Sequence, residues 1–228
     1  MMLRSRREWV LIALLMGPTM AWTQVGVHEH SDRLTVRNDR VTVELSKAHK
    51  GAITSLLDNT MRQELVALQT EPALFSLVFT KTKDLSGDTQ TFSSRDAGRV
   101  SYAVERTADG ERAILRFSAI GGRNIDAQCS ATVKNGDTLV RWRLLVTGEE
   151  PLVLEETQFP IVVLTDTLGT SREDDVALAG ATEDGQYLAP GDWGIGRQRV
   201  YTQPGSLAAQ FGCYHDPSGG FYTATQDG

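Results

Sequence analysis

Apolar and polar residues alternate along most of this chain with a period of two, whereas the longer period of an amphipathic helix hardly occurs. The clearest case is the run 139–147, where apolar residues and arginines take alternate places. Successive side chains of a β-strand point to opposite faces, so this run predicts a strand with one buried and one wetter face. The buried set is Val140, Trp142, Leu144 and Val146, and the wetter set includes Arg141 and Arg143.

The same alternation predicts about eleven strands, spaced as closely as in an all-β domain. Two of the breaks between them, Asp109-Gly110 and Asn135-Gly136, are dipeptides that favour the tight turns of β-hairpins. Antiparallel neighbours joined by short turns, with almost no helix, predict two packed antiparallel sheets, that is, a two-layer β-sandwich over residues 34–228. The predicted strands are 34–37, 41–45, 52–57, 74–80, 100–105, 113–118, 126–134, 139–147, 152–159, 207–214 and 221–225.

Residues 164–199 depart from this pattern. They carry an acidic run at 173–175 and the turn-forming Ala189-Pro190-Gly191 before Trp193, around a few short apolar runs. Long loops on a rigid scaffold often carry binding residues. We therefore expect this loop to contribute to a binding site.

The first residues have the anatomy of a secretory signal peptide. Arginines at 4, 6 and 7 precede an apolar run at 9–16, and small residues follow near position 21. The apolar run is far shorter than the ~20 residues that cross a bilayer. We therefore predict a signal peptide at 1–21, a flexible segment at 22–33, and a secreted or periplasmic protein without a membrane partner.

No cofactor or metal site is predicted. His28, His30 and Asp32 could suggest metal ligation, but they fall in the segment that we expect to be flexible. The two cysteines, Cys129 and Cys213, have no metal-ligand spacing. They could pair in an oxidising compartment or remain buried thiols, and the sequence leaves both alternatives open.

Composition is that of a soluble globular domain, with 40% hydrophobic and 23% charged residues. The formal net charge is −6. Binding to a phosphate backbone requires clustered lysine and arginine, so we predict no nucleic-acid partner.

Several blocks occur in an order that resembles a known domain: 51–58 (Gly-Ala-Ile-Thr-Ser-Leu-Leu-Asp), Phe159-Pro160, 210–211 and 220–227. They are similar to the N-terminal galactose-mutarotase-like β-supersandwich of glycoside hydrolases that carry a (β/α)8 catalytic barrel downstream. The resemblance implies an accessory, carbohydrate-associated domain whose partner is that barrel. The chain ends before any barrel, so we expect the sandwich and the barrel to continue in a longer chain.

Sugar-binding residues are expected among flat aromatic side chains with polar neighbours, because pyranose rings present both C–H patches and hydroxyls. The candidates are Trp193, Asp192, Tyr214 and His215. The adjacent carboxylates Glu155-Glu156 and Asp174-Asp175 are interpreted as solvated, since strand neighbours point to opposite faces. No catalytic residue is therefore predicted in this chain.

Two other functions remain open. One is a non-catalytic carbohydrate-binding or scaffold module. The other, less favoured, is an aldose epimerase, which would need a histidine and a glutamate converging on the concave sheet, whereas the histidines here are expected in turns or in the tail.

Overall fold

The structure, a computed structural model, describes residues 25–67, 69–80, 88–148, 153–165, 175–178, 186–188, 211–216 and 219–224. This part of the chain contains sixteen β-strands and two 3-10 helices, at Ser94–Asp96 and Ile120–Gly122, and no α-helix. The prediction of an all-β fold is therefore confirmed.

The strand bounds agree with the predicted alternation through most of the chain. They are β1 Gly26–Glu29, β2 Arg33–Arg37, β3 Val41–Ser46, β4 Ala52–Asp58, β5 Gln63–Glu64, β6 Ser76–Thr80, β7 Thr89–Ser93, β8 Arg99–Arg106, β9 Gly110–Ser118, β10 Ile125–Lys134, β11 Val140–Gly148, β12 Val153–Gln158, β13 Asp175–Leu178, β14 Gln186–Leu188, β15 Phe211–Asp216 and β16 Gly219–Ala224.

The strands form four sheets in which all the pairings are antiparallel. The first sheet has the order β1-β2-β3-β4-β5, and the second has the order β11-β10-β9-β8. A third sheet, β12-β6-β7, and a fourth, β14-β13-β15-β16, complete the described part of the chain.

The first two sheets pack face to face, because β1 and β2 lie against β9 and β10. Leu34 and Leu45 of the first sheet share one buried cluster with Leu115 and Cys129 of the second. Alternate side chains of β2 and β10 are buried, as a sheet with one face in the core requires. The molecule is therefore a β-sandwich around a common core.

Aromatic rings pack against one another within this core and at its edge. Phe75 and Phe117 are almost completely buried, and their rings meet edge to face with centroids 4.9 Å apart. Trp142 on β11 meets Phe159 in the same way at 6.0 Å. Trp142 and its apolar neighbours on β11 pack against the core, which confirms the predicted buried face of this strand.

Gly51 shows why a glycine directly precedes β4. Its φ of +81° lies in the left-handed region, where a Cβ atom is disfavoured. A Cβ at this position would also overlap Cδ2 of Leu115. The glycine therefore lets the turn before β4 lie directly against a buried leucine of the opposite sheet.

The predicted flexible segment at 22–33 is wrong for its described part, because Gly26–Glu29 forms β1 and Arg33 begins β2. β1 pairs with β2, and the Val27 N–H donates to Glu111 Oε2 of β9 at 2.7 Å. Four residues are too short for a clear alternation, so the pairing partners, rather than a local pattern, establish this strand.

The position of His215 also differs from the prediction. The sequence placed it in a turn, whereas it lies within β15, and only residues 217 and 218 separate β15 from β16. Four further strands were not predicted: the two-residue β5, β7, which is polar, and β13 and β14, which lie within the region interpreted as a long loop.

Candidate functional site

Two of the four predicted sugar-binding residues lie in the described structure, and they face opposite sides of β15. Asp192 and Trp193 lie outside the described residues. Tyr214 is 7% exposed and belongs to the core cluster. His215, the next residue on β15, faces the other side of the fourth sheet and is partly exposed. The ring of Tyr214 thus contributes to packing, and its contact with a sugar stays a prediction.

The surroundings of His215 contain one exposed aromatic ring. In the strand register His215 lies opposite Gly220 of β16 and Asp175 of β13. Tyr222 of β16 lies opposite Cys213, on the same side of the sheet as His215, and is 55% exposed. The fourth sheet therefore offers a histidine and a tyrosine on one face.

A more complete arrangement of polar groups lies on the outer face of the second sheet. Leu115 and Cys129 point into the core, so the residues that alternate with them face outward. The register aligns Ser101, Arg116, Gln128 and Leu145 in one row across the four strands. The neighbouring row contains Arg99, Ser118, Asp126 and Thr147.

These two rows line an open depression of about 390 Å³ on the sheet. Its walls are side chains held on four hydrogen-bonded strands, so the spacing between rows is determined by the pleat of the sheet. Below it lie Phe117 and Ala127, which are buried. We refer to this feature, with the two rows as its lining, as the outer depression.

Hydrogen bonds orient the polar groups of the outer depression. Arg116 Nε donates to Gln128 Oε1 at 3.2 Å, which leaves the Gln128 amide nitrogen as a donor. Asp126 Oδ1 accepts from the Ala119 N–H at 3.2 Å. Leu145, which is 50% exposed, adds an apolar surface at the side of the same row. The depression therefore presents donors, acceptors and one apolar patch.

The outer face of this sheet is rich in arginine. By strand register it carries five arginines, Arg99, Arg112, Arg116, Arg141 and Arg143, which we call the outer arginines, against the two carboxylates of Glu105 and Asp126. This charge has the opposite sign to the formal net charge of the chain, −6.

Partners of the outer arginines differ. Arg141 Nη2 pairs with Asp137 Oδ2 at 2.6 Å, and the Leu139 N–H together with Arg141 holds the pKa of Asp137 below its ordinary value. Arg116 is 3.9 Å from Glu105, which is a weak contact. Within the part of the chain that the structure describes, the guanidinium groups of Arg99 and Arg143 have neither a hydrogen bond nor an ion pair.

No motif in the sequence predicts this depression. The alternation of β11 predicts only that Arg141 and Arg143 lie on a wetter face. The same alternation in β9 and β10 places Arg116 and Gln128 outward, so the signal was present on each strand. The register that brings these residues into rows is set by contacts between strands and was not visible locally.

Other candidate chemistry remains dispersed. Glu155 and Glu156 are exposed on β12, with a register shift between Leu154 and Glu156. Among the described residues, no group of three histidine, cysteine, aspartate or glutamate side chains could hold a metal ion. Cys129 and Cys213 are both free thiols. No helix within the described ranges has the length and apolarity to cross a membrane.

Comparisons with known proteins found no match: no family model, no curated protein and no solved structure is significantly similar to this chain.

Proposed function

We propose that this chain is a carbohydrate-binding accessory domain of a secreted glycoside hydrolase, and that the outer depression is its sugar site. The observation that carries the proposal is the depression itself, lined by guanidinium, amide, carboxylate and hydroxyl groups on a rigid sheet. Sugar hydroxyls both donate and accept hydrogen bonds, so a site with fixed groups of both kinds suits them.

Geometry favours binding over hydrolysis at this site. A glycosidase needs two carboxyl groups on opposite sides of the scissile bond. Asp126 is the one carboxylate that lines the outer depression, and its Oδ1 already accepts from the backbone. The catalytic barrel that the sequence resemblance implies remains the proposed source of the hydrolytic residues and the proposed partner of this domain.

An epimerase has less support. It requires a histidine beside a glutamate, and none of the histidines in the described part of the chain lines the outer depression. His28 within β1 and His30 just after it are both exposed, while His215 lies in the fourth sheet. We therefore retain the binding module as the proposed function of the chain itself.

Isothermal titration calorimetry of the chain against a panel of neutral and acidic oligosaccharides tests the proposal. We expect at least one saccharide to bind, and Gln128→Ala to weaken that binding about tenfold, as expected for the loss of a hydrogen bond to a ligand. Gln158→Ala is the matched control, because Gln158 is also a strand glutamine bonded to a neighbouring side chain, Glu156. Absence of binding, or equal effects of the two variants, would refute the site.

A further inference from the structure

We propose that the outer depression is selective for an acidic saccharide, one whose sugar carries a carboxylate, such as a uronic acid. This inference rests on the proposed function and specifies its ligand class. It starts from the charge of the outer face, which is positive although the chain as a whole is negative.

Two arginine side chains at the depression have unused donors. Arg99 lines the depression, is exposed, and its guanidinium group has no hydrogen bond or ion pair within the described residues. Arg143 lies two residues from Leu145 on β11, outside the lining, and its exposed guanidinium group likewise has no partner among the described residues. A guanidinium group carries five N–H donors in a planar fork that matches a carboxylate, so these two side chains are suited to an anionic group.

Positive charge exceeds negative charge within the lining of the depression. Arg99 and Arg116 oppose a single carboxylate, Asp126, and the nearest other acid to Arg116 is Glu105 at 3.9 Å. Lysine and arginine elsewhere in the chain form closer pairs, such as Lys134 with Asp109 at 2.6 Å. The depression therefore keeps cationic charge that the protein does not neutralise itself.

The lining also contains neutral groups that suit a sugar better than a bare anion or a polyanion. Gln128 and Ser101 supply neutral hydrogen-bonding groups beside the arginines, and Leu145 supplies an apolar contact at 50% exposure. A phosphate backbone would make little use of these groups, whereas a uronic acid presents hydroxyls, C–H patches and one carboxylate.

The test is calorimetric titration of the chain with a uronic-acid trisaccharide and with the same trisaccharide after methyl esterification. The two ligands differ in charge and hardly in shape. We expect the acid to bind more tightly than the ester, and we expect this preference to shrink at high NaCl concentration because the arginines are exposed.

Variants of single arginines test which side chains cause the preference for the acid over the ester. Arg99→Gln and Arg143→Gln are each expected to weaken binding of the acid about fivefold, at the upper end for an exposed ion pair, and to weaken binding of the ester by a smaller factor, so that the preference for the acid shrinks. Arg99→Lys keeps the positive charge but lacks the planar guanidinium group. It should therefore bind the acid more tightly than Arg99→Gln and less tightly than the wild type. Arg106→Gln is the matched control, because Arg106 lies on β8 as well but alternates to the opposite side of the strand and is 91% exposed.

Four results can be distinguished. Preference for the acid that depends on Arg99 and Arg143 supports the inference. Equal binding of acid and ester overturns it and leaves the proposed sugar site standing. Failure of both ligands and of every neutral oligosaccharide overturns the proposed function as well. Equally tight binding of an oligonucleotide of matched charge, with the same sensitivity to Arg99→Gln, overturns the selectivity for sugars.

Discussion

The two faces of the second sheet belong to the same four strands and differ in almost every property. The inner face is apolar and buried, with Leu115, Cys129 and Ala131 at 0% exposure. The outer face carries the outer arginines and an open depression. Because successive residues of a strand point to opposite faces, each strand contributes to the core and to the surface independently. Stability and binding can therefore be altered separately in this sheet.

The largest expected effect is on the inner face. Leu115→Ala should lower the free energy of unfolding by about 3 kcal/mol, because it removes a completely buried side chain and leaves a cavity. Leu145→Ala removes the same atoms from the outer face, where the leucine is 50% exposed, and should change the unfolding free energy by less than about 0.5 kcal/mol. Urea unfolding of both variants measures the difference. Equal losses would contradict the distinction between the two faces.

A smaller effect is expected where the first sheet meets the inner face. Gly51→Ala should destabilise the protein by about 2 kcal/mol, since the residue has a φ of +81° and its Cβ would overlap Leu115. In the double variant with Leu115→Ala the overlap is relieved and only the backbone strain remains. We therefore expect the two losses to be less than additive in a double-mutant cycle. Strict additivity of the two losses would show that an alanine at position 51 does not overlap the Leu115 side chain.

The inner face should also respond to alkaline pH through Cys129. Burial raises the pKa of this thiol above its ordinary value of 9.0, so the unfolded chain loses the proton first as pH rises. Its contribution to stability is fully present well below pH 9 and declines above it. Relative to Cys129→Ala, the wild type should lose about 1.4 kcal/mol of unfolding free energy between about pH 8 and 10.

Cys213 is present in both proteins of that comparison, so the raised pKa of its own thiol cancels. Unfolding curves at several pH values supply the measurement. A wild-type curve that runs parallel to that of Cys129→Ala across this range would mean that the thiol titrates alike in the folded and unfolded chains.

The smallest expected effect on stability is on the outer face. Arg99→Gln should change the free energy of unfolding by less than about 0.5 kcal/mol, because the side chain is exposed and makes no ion pair with a described residue. The same variant is expected to weaken binding of an acidic saccharide. A substantial loss of stability here would indicate that Arg99 supports the fold rather than a ligand.

Prediction from sequence was most accurate where strands alternate clearly. β2, β3, β8, β10 and β11 begin and end within one residue of the predicted bounds. It failed for β1, which has four residues, and for β7, whose sequence Thr-Gln-Thr-Phe-Ser carries one apolar residue. Short or polar strands form because a neighbouring strand supplies hydrogen bonds and packing contacts. The sequence of that neighbour lies elsewhere in the chain, so a local pattern does not predict the strand.

Candidate site residues were harder to predict than strands. The aromatic and histidine criteria selected Tyr214 and His215, which alternate to opposite faces of β15. The groups of the outer depression, including Arg116 and Gln128, are ordinary strand residues when considered one at a time. They become a potential site only as rows across four strands.

For this protein, the amino-acid sequence alone determined the all-β class and the inward and outward faces of its longer strands, because alternation with a period of two is a local property of the chain. Tertiary structure decided that β1 pairs with β2 and is linked to Glu111 of β9, that Gly51 lies against Leu115, and that the outer arginines share one face. Register and sheet packing depend on partners far apart in sequence, so only the folded chain reveals them.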